Sequence, residues 1–338
     1  MTWGAPMNLS INARLISWRR SLLLFVCLLF LRPACLGHSQ ALGQSGAGTQ
    51  SADSGQRIRL LITELNAREV AGASNRELGY RWTVLGFEYS NGGEFTNSEN
   101  AYNRALDLLG RDPADAGLDA AAIDQLGALY RVLGKVTESM NCFRKALALR
   151  LKLGDPLLIA VSRGRMAEDE VLARRYREAM RDADEAYRFL ATAEEAEMSD
   201  RISALLVRAY AECGLRRRAE CLMDAQQALA LSRSGFPERS PEVAGSLMAL
   251  SVAQLRNGSA AEAEESVREA IGTLKLKLSA DDPRVVYALV QERDCLVALH
   301  RKEEARQVEA QVEAGNRRYS ESCAGCTVSA FGLTAPSH

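Results

Sequence analysis

From residue 57 onward, polar and apolar positions follow the spacing of a helix face. Large apolar residues recur at intervals of three, four and seven, and Gly, Asn, Asp and Pro fall mostly in short breaks. Runs of alternating Val, Ile or Thr, the mark of half-buried strands, are few. The pattern predicts helix after helix, and the helices repeat. In the first clear unit Trp82, Leu85, Gly86 and Tyr89 share one helix face, Asn91-Gly92-Gly93 forms a turn, and Ser98, Tyr102 and Ala105 share the face of a second helix. The next unit runs Leu126, Gly127, Tyr130 and Gly134, then Ser139, Phe143 and Ala146. Small residues stand where two antiparallel helices must approach closely. Later units are looser. The third carries Ala167, Tyr176, Ala179 and Ala186, and the fourth Leu206, Tyr210, Gly214 and Ala219. The fifth carries Leu247, Leu250, Gly258, Ala263, Val267 and Ala270; the sixth has Leu289, Leu296 and Ala305, with Arg293 in place of a small residue.

The small residue opening each second helix is read at 98, 139, 179, 219, 263 and 305, with gaps of 41, 40, 40, 44 and 42. Asp155-Pro156, Ser240-Pro241 and Asp282-Pro283 precede first helices of later units. An Asp or Ser side chain can cap a helix whose first residue is Pro. The spacing of Trp82, Leu85, Gly86, Tyr89 and the following small residues resembles the tetratricopeptide repeat, in the 42-residue form of kinesin-light-chain-like arrays. The resemblance covers residues 79–319. It implies an all-α fold, a tetratricopeptide-like α-solenoid of about six antiparallel helix pairs in a right-handed superhelix. An amphipathic helix at 57–70, within a capping segment 57–78, is expected to close one end.

Such arrays are protein-binding scaffolds with an inner groove lined by the first helix of each pair. Carried onto this chain, the groove positions are Tyr80, Thr83, Phe87 and Asn91; Asp124, Ala128 and Arg131; and Glu168, Val171 and Leu172. The last units add Met248, Val252, Leu255, Arg256, Val290, Asp294 and Val297. This lining is mixed, and its later part is largely apolar. The Lys/Asn/Arg set that clamps an acidic C-terminal peptide in chaperone-binding members is missing. A protein or peptide ligand with apolar anchors is implied. The alternative is that several of these side chains pack beneath a neighbouring repeat.

The N-terminus reads as an address. Residues 1–41 carry Arg14, Arg19, Arg20 and Arg32 and no acid, and Ser21–Leu31 (SLLLFVCLLFL) is an apolar run. Eleven helical residues span roughly 16 Å, against the ~30 Å of a bilayer core. A basic start, a short apolar run and Pro33 indicate a secretory signal, with cleavage after Ala41 or after Gly37. Arg19-Arg20 as a twin-arginine signal, Cys35 as a lipidated cysteine and an uncleaved anchor are the competing readings. Residues 42–56, rich in Gly, Ser and Gln, are expected to be a disordered linker.

The whole chain has 338 residues, 42 basic and 43 acidic, and a formal charge of −1. Without the four arginines of residues 1–41 the remainder carries 38 basic and 43 acidic residues, a charge of −5. That balance excludes a polybasic nucleic-acid binder. No phosphate loop or dinucleotide fingerprint is present, and no cofactor or small-molecule substrate is implied. Cys295 and His300 are five apart on one expected helix and point to different faces, so they do not form a nucleophile–base pair. An exported, non-enzymatic scaffold is expected, with a purely structural component of an envelope assembly as an alternative. Six cysteines follow residue 41: Cys142, Cys213, Cys221 and Cys295 on repeat helices, read chiefly as small buried hydrophobes, and Cys323 and Cys326 in the tail 320–338. The tail pair could form a local disulfide or carry a redox- or metal-linked role. Thr327 replaces the His that haem attachment needs, and no second pair of zinc ligands lies nearby.

Overall fold

The computed structural model describes residues 48–276 and 278–322. The expected signal 1–41, Cys323 and Cys326 lie outside the described residues. Among those described, thirteen helices follow one another. The first, α1 (Gly48–Val70), stands alone. Six antiparallel pairs follow: α2 (Asn75–Asn91) with α3 (Phe95–Leu109), α4 (Ala116–Val132) with α5 (Val136–Leu153), and α6 (Pro156–Leu172) with α7 (Tyr176–Leu190). The others are α8 (Met198–Gly214) with α9 (Arg218–Gly235), α10 (Pro241–Arg256) with α11 (Ala260–Leu274), and α12 (Pro283–Ala298) with α13 (Lys302–Ser322).

The capping chemistry read in the sequence is present. Asp155 accepts from the Leu157 and Leu158 amides, Ser240 from Val243, and Asp282 from Arg284, each ahead of a Pro that opens the helix. Ser74 caps α2 in the same way. The helix α1 packs Ile58 and Leu65 against Leu85, so it covers the exposed end of the first pair. It begins at Gly48, inside the stretch expected as a linker, and residues 48–56 contain no proline to stop it. Residues 75–78, read within the capping segment, form the first turn of α2.

Within each pair the close approach is made at the small residues. Ser98 Oγ donates to the Gly86 carbonyl at 2.7 Å, and Ser139 Oγ to that of Gly127 at 2.8 Å. In the fifth pair the roles reverse, Ser251 Oγ donating to the Ala263 carbonyl at 2.8 Å. A Cβ on Gly86 would sit 2.8 Å from the Tyr102 ring, so only Gly fits there. The fourth pair corrects the repeat phase. Ala219 is exposed, whereas Cys221 is 1% exposed and occupies the slot of Ser98, Ser139 and Ala179. With 221 in place of 219, the gaps become 41, 40, 42, 42 and 42. Cysteine is small and apolar enough to serve as the contact residue.

Cys221 is also bonded to Cys213, with Cα atoms 5.3 Å apart, which ties the end of α8 to the start of α9. These two are therefore not merely small buried hydrophobes. Cys142 and Cys295 are, being free and buried.

The first helices of successive pairs also touch one another: α2 with α4, α6 with α8, α8 with α10 and α10 with α12. They lie on the inner side of the stack, and the second helices lie outside. The core is continuous through the last three pairs, from Ala209 to Val312.

Candidate functional site: the inner face of the stack

Two chemically different surfaces make up the inner face. Across pairs two to four it is a ladder of ion pairs. Arg131 on α4 reaches α6, pairing with Glu168 and, at 2.6 Å, with Asp169, while its Nη2 donates to the Arg165 carbonyl at 3.0 Å. The Arg131 guanidinium also lies 4.8 Å from the Phe143 ring centroid. Glu168 in turn accepts from Ser203 Oγ on α8 at 2.8 Å. Beneath this, Asp124 is paired with the buried Arg150 and, at 3.6 Å, with Arg165. Arg150 also donates to Ser162 Oγ. Burial pushes the Asp169 and Asp200 carboxyls above the usual carboxylate range, against the pull of Arg131 and Arg165 respectively. Arg supplies 36 of the 42 basic residues, and here the forked guanidinium links two helices at once.

Across pairs four to six the inner face becomes aromatic and apolar. Tyr210 on α8, Val252 and Leu255 on α10, and Tyr287 and Val290 on α12 are half-buried and pack on the continuous core. Tyr210 on α8 and Tyr287 on α12 are close enough for each phenol to perturb the other, and both polar atoms of Gln291 are buried there without a hydrogen-bond partner. Burial, reinforced by the neighbouring Tyr287, pushes the Tyr210 phenol well above its ordinary value.

The expected groove residues divide accordingly. Thr83, Phe87, Asp124 and Met248 are buried and unavailable to a partner. Thr83 Oγ1 is spent on the Gly79 carbonyl at 2.9 Å, and Asp124 on its arginines. For these four the alternative, packing beneath a neighbour, holds. Tyr80, Ala128, Arg131, Glu168, Val171, Leu172, Val252, Leu255, Val290 and Asp294 are half-buried, while Asn91, Arg256 and Val297 are exposed. Asp294 accepts from Arg293 at 2.7 Å, and Arg293 also reaches Glu309 at 2.7 Å. Arg293 thus spends its charge inside the sixth pair.

Tyr210, Tyr287 and Gln291 are not among the groove positions the repeat resemblance implies. Tyr210 precedes Cys221 by eleven residues, as Phe87 precedes Ser98. Taking Ala219 as the contact residue hid that equivalence. Tyr287 precedes Ala305 by eighteen, as Tyr80 precedes Ser98, so the repeat register does contain the signal.

No group of three or more His, Cys, Asp or Glu side chains able to hold a metal ion occurs among the described residues. The Cys142 and Cys295 thiols are pushed up to about 11 by burial, which keeps them protonated at neutral pH. Cys295 is fully buried, and His300 is exposed beyond the end of α12, so the two are well separated in environment.

Residues 120–152, essentially the second pair, match the model of the tetratricopeptide repeat. The structure is similar to the apo form of RapI, with a TM-score of 0.65 and 13% identity over 81% of this chain and 98% of that one. The fold is a tetratricopeptide-repeat solenoid. A Rap protein complexed with competence and sporulation factor is similar with a TM-score of 0.54 and 11% identity, over 80% of this chain and 78% of that one. A tetratricopeptide repeat protein from Parabacteroides merdae ATCC 43184 gives 0.53 and 13%, over 82% and 98%. No curated protein sequence matches this chain. No helix among the described residues is long and apolar enough to cross a membrane.

Proposed function

We propose that this solenoid is an exported, non-enzymatic scaffold that holds a protein or peptide partner against the inner face of pairs four to six. The observation that carries the reading is the contiguous half-buried surface of Tyr210, Val252, Leu255, Tyr287 and Val290. Apolar side chains left partly open on the inner face gain free energy when a partner covers them, about 25 cal/mol per Å² of apolar area. The ion-pair ladder of pairs two to four has its charges already matched within the stack. A Rap protein of similar fold is complexed with competence and sporulation factor, which supports a partner-binding role for such a stack.

Export rests on the basic start and the SLLLFVCLLFL run, and the Cys213–Cys221 bond supports it, because such bonds persist in oxidising compartments. The test has two arms. Mass spectrometry of the protein from its native host is expected to find an N-terminus near residue 38 or 42, and an intact Met1 contradicts export. Cross-linked affinity capture with the wild type and with the Val252→Asp/Val290→Asp variant is expected to lose specific partners in the variant. Equal recovery of the same proteins contradicts the inner-face site.

A further inference from the structure

Two buried acidic pairs occupy the same place in consecutive repeats. Glu170 on α6 is buried within the field of Asp182 on α7, and Glu212 on α8 within hydrogen-bonding reach of Asp224 on α9. Each pair is twelve residues apart, and the pairs follow one another at 42 residues. All four side chains are sealed, at 6%, 0%, 5% and 1% exposure respectively. The aspartates hold arginines: Arg163 reaches Asp182 at 2.8 Å, Arg181 reaches it at 3.2 Å, and Arg208 binds Asp224 through both carboxylate oxygens. The glutamates do not. Oε2 of Glu170 and Oε2 of Glu212 are buried without a hydrogen-bond partner.

Charged groups facing Glu170 come from α7 and its turn: Asp182 and Glu178 of like sign, Arg181 and Arg175 of opposite sign. Those facing Glu212 are Asp224 and Glu220, opposed by Arg208. In both pairs the arginine contacts go to the aspartate. The fifth repeat shows the neutral version of this slot: Gln254 stands in place of the glutamate, and Ser266 Oγ, in place of the aspartate, donates to it at 2.8 Å.

We propose that Glu170 and Glu212 each hold a proton in the folded array, so that the third and fourth pairs contain proton-binding sites whose ionisation loosens those two hairpins. A protonated Glu212 donates to Asp224, supplying the hydrogen bond that two carboxylates cannot make. Loss of the proton leaves two like charges inside the hairpin, with the arginine contacts already taken by the aspartate. Burial first, and then the paired aspartate, pushes both glutamate carboxyls up to about 7. The ordinary value is 4.5. Between these values the folded chain binds more protons than the unfolded chain, so stability falls as pH rises through that window and stays lower above it.

The experiment compares the full mature chain with its Glu170→Gln/Glu212→Gln variant, which copies the slot as Gln254 fills it. Carboxyl ¹³C NMR is expected to show two glutamates with midpoints near 7 in the wild type, both absent from the variant. Between about pH 5 and about pH 8 the wild-type melting temperature is expected to fall by roughly 10 °C more than that of the variant. Amide exchange in α6 to α9, corrected for its intrinsic pH dependence, is expected to accelerate over the same range in the wild type only. The single variants, Glu170→Gln and Glu212→Gln, each remove one of the two resonances. Glutamate midpoints all in the ordinary range, or an equal loss of stability in wild type and variant, overturns the proposal.

Discussion

Cys213 and Cys221, eight residues apart, are joined across the turn of the fourth helix pair. Cys221 is at once the small contact residue of its repeat and half of a covalent clamp. Closing so short a loop is expected to contribute about 2–3 kcal/mol, mainly by restricting the unfolded chain. Reduction, or Cys213→Ser with Cys221→Ala, is therefore expected to lower the melting temperature by roughly 5–10 °C. Alanine keeps the contact size at 221, so the loss reports the bond itself. Thermal melts with and without reductant check this, and an unchanged midpoint contradicts it.

The buried pair Arg150–Asp124 makes a second prediction. Both side chains are nearly inaccessible, at 2% and 1% exposure. Arg150→Met leaves the Asp124 carboxylate with only the longer contact to Arg165. Breaking one side of a buried pair costs about 3–5 kcal/mol. Asp124→Asn in the same background is expected to recover part of that loss, because it removes the stranded charge. Denaturant midpoints of the single and double variants measure the coupling.

Packing at Gly86 supplies a third. A methyl there meets the Tyr102 ring at 2.8 Å, and Tyr102 is itself fully buried. Gly86→Ala is expected to destabilise by about 1–3 kcal/mol, despite alanine's better helix propensity. Pairing it with Tyr102→Leu, which vacates part of the ring volume, is expected to soften the effect. Chemical denaturation of both variants decides.

Turn geometry supplies a fourth. The turn inside each pair needs one left-handed residue, and Gly93, Gly134 and Gly258 provide it in three of them. Arg174, Arg216 and His300 take the same conformation, with φ of 58°, 63° and 60°. For a residue with a Cβ that backbone costs about 1 kcal/mol. Arg216→Gly, at an exposed turn, is expected to stabilise by about 0.5–1 kcal/mol, with thermal melts as the check. A loss of stability indicates that the Arg216 side chain makes a compensating contact.

The fold was legible because Gly86, Ser98, Gly127 and Ser139 report a local necessity, the approach of two helices within one repeat. Capping by Asp155, Ser240 and Asp282 was equally local. The inner face was only partly legible. Whether Thr83, Phe87, Asp124 or Met248 is open or sealed depends on how closely the next first helix approaches. That distance is set by side chains some 40 residues away, such as Arg131 spanning from α4 to α6. The fourth unit was misphased because Ala219 is an ordinary small residue and Cys221 an uncommon one, and Tyr210 dropped out of register with it.

The central claim, that a partner is held on the inner face of pairs four to six, is tested most directly by site-specific photo-cross-linking in the native host. One photoreactive residue is placed at Leu255, on the inner face, and another at the exposed Gln226 on the outer helix α9. A discrete adduct from position 255, absent from position 226 and abolished by Val252→Asp/Val290→Asp, is the expected result. The same adduct from both positions, or an adduct only from 226, contradicts the inner-face scaffold.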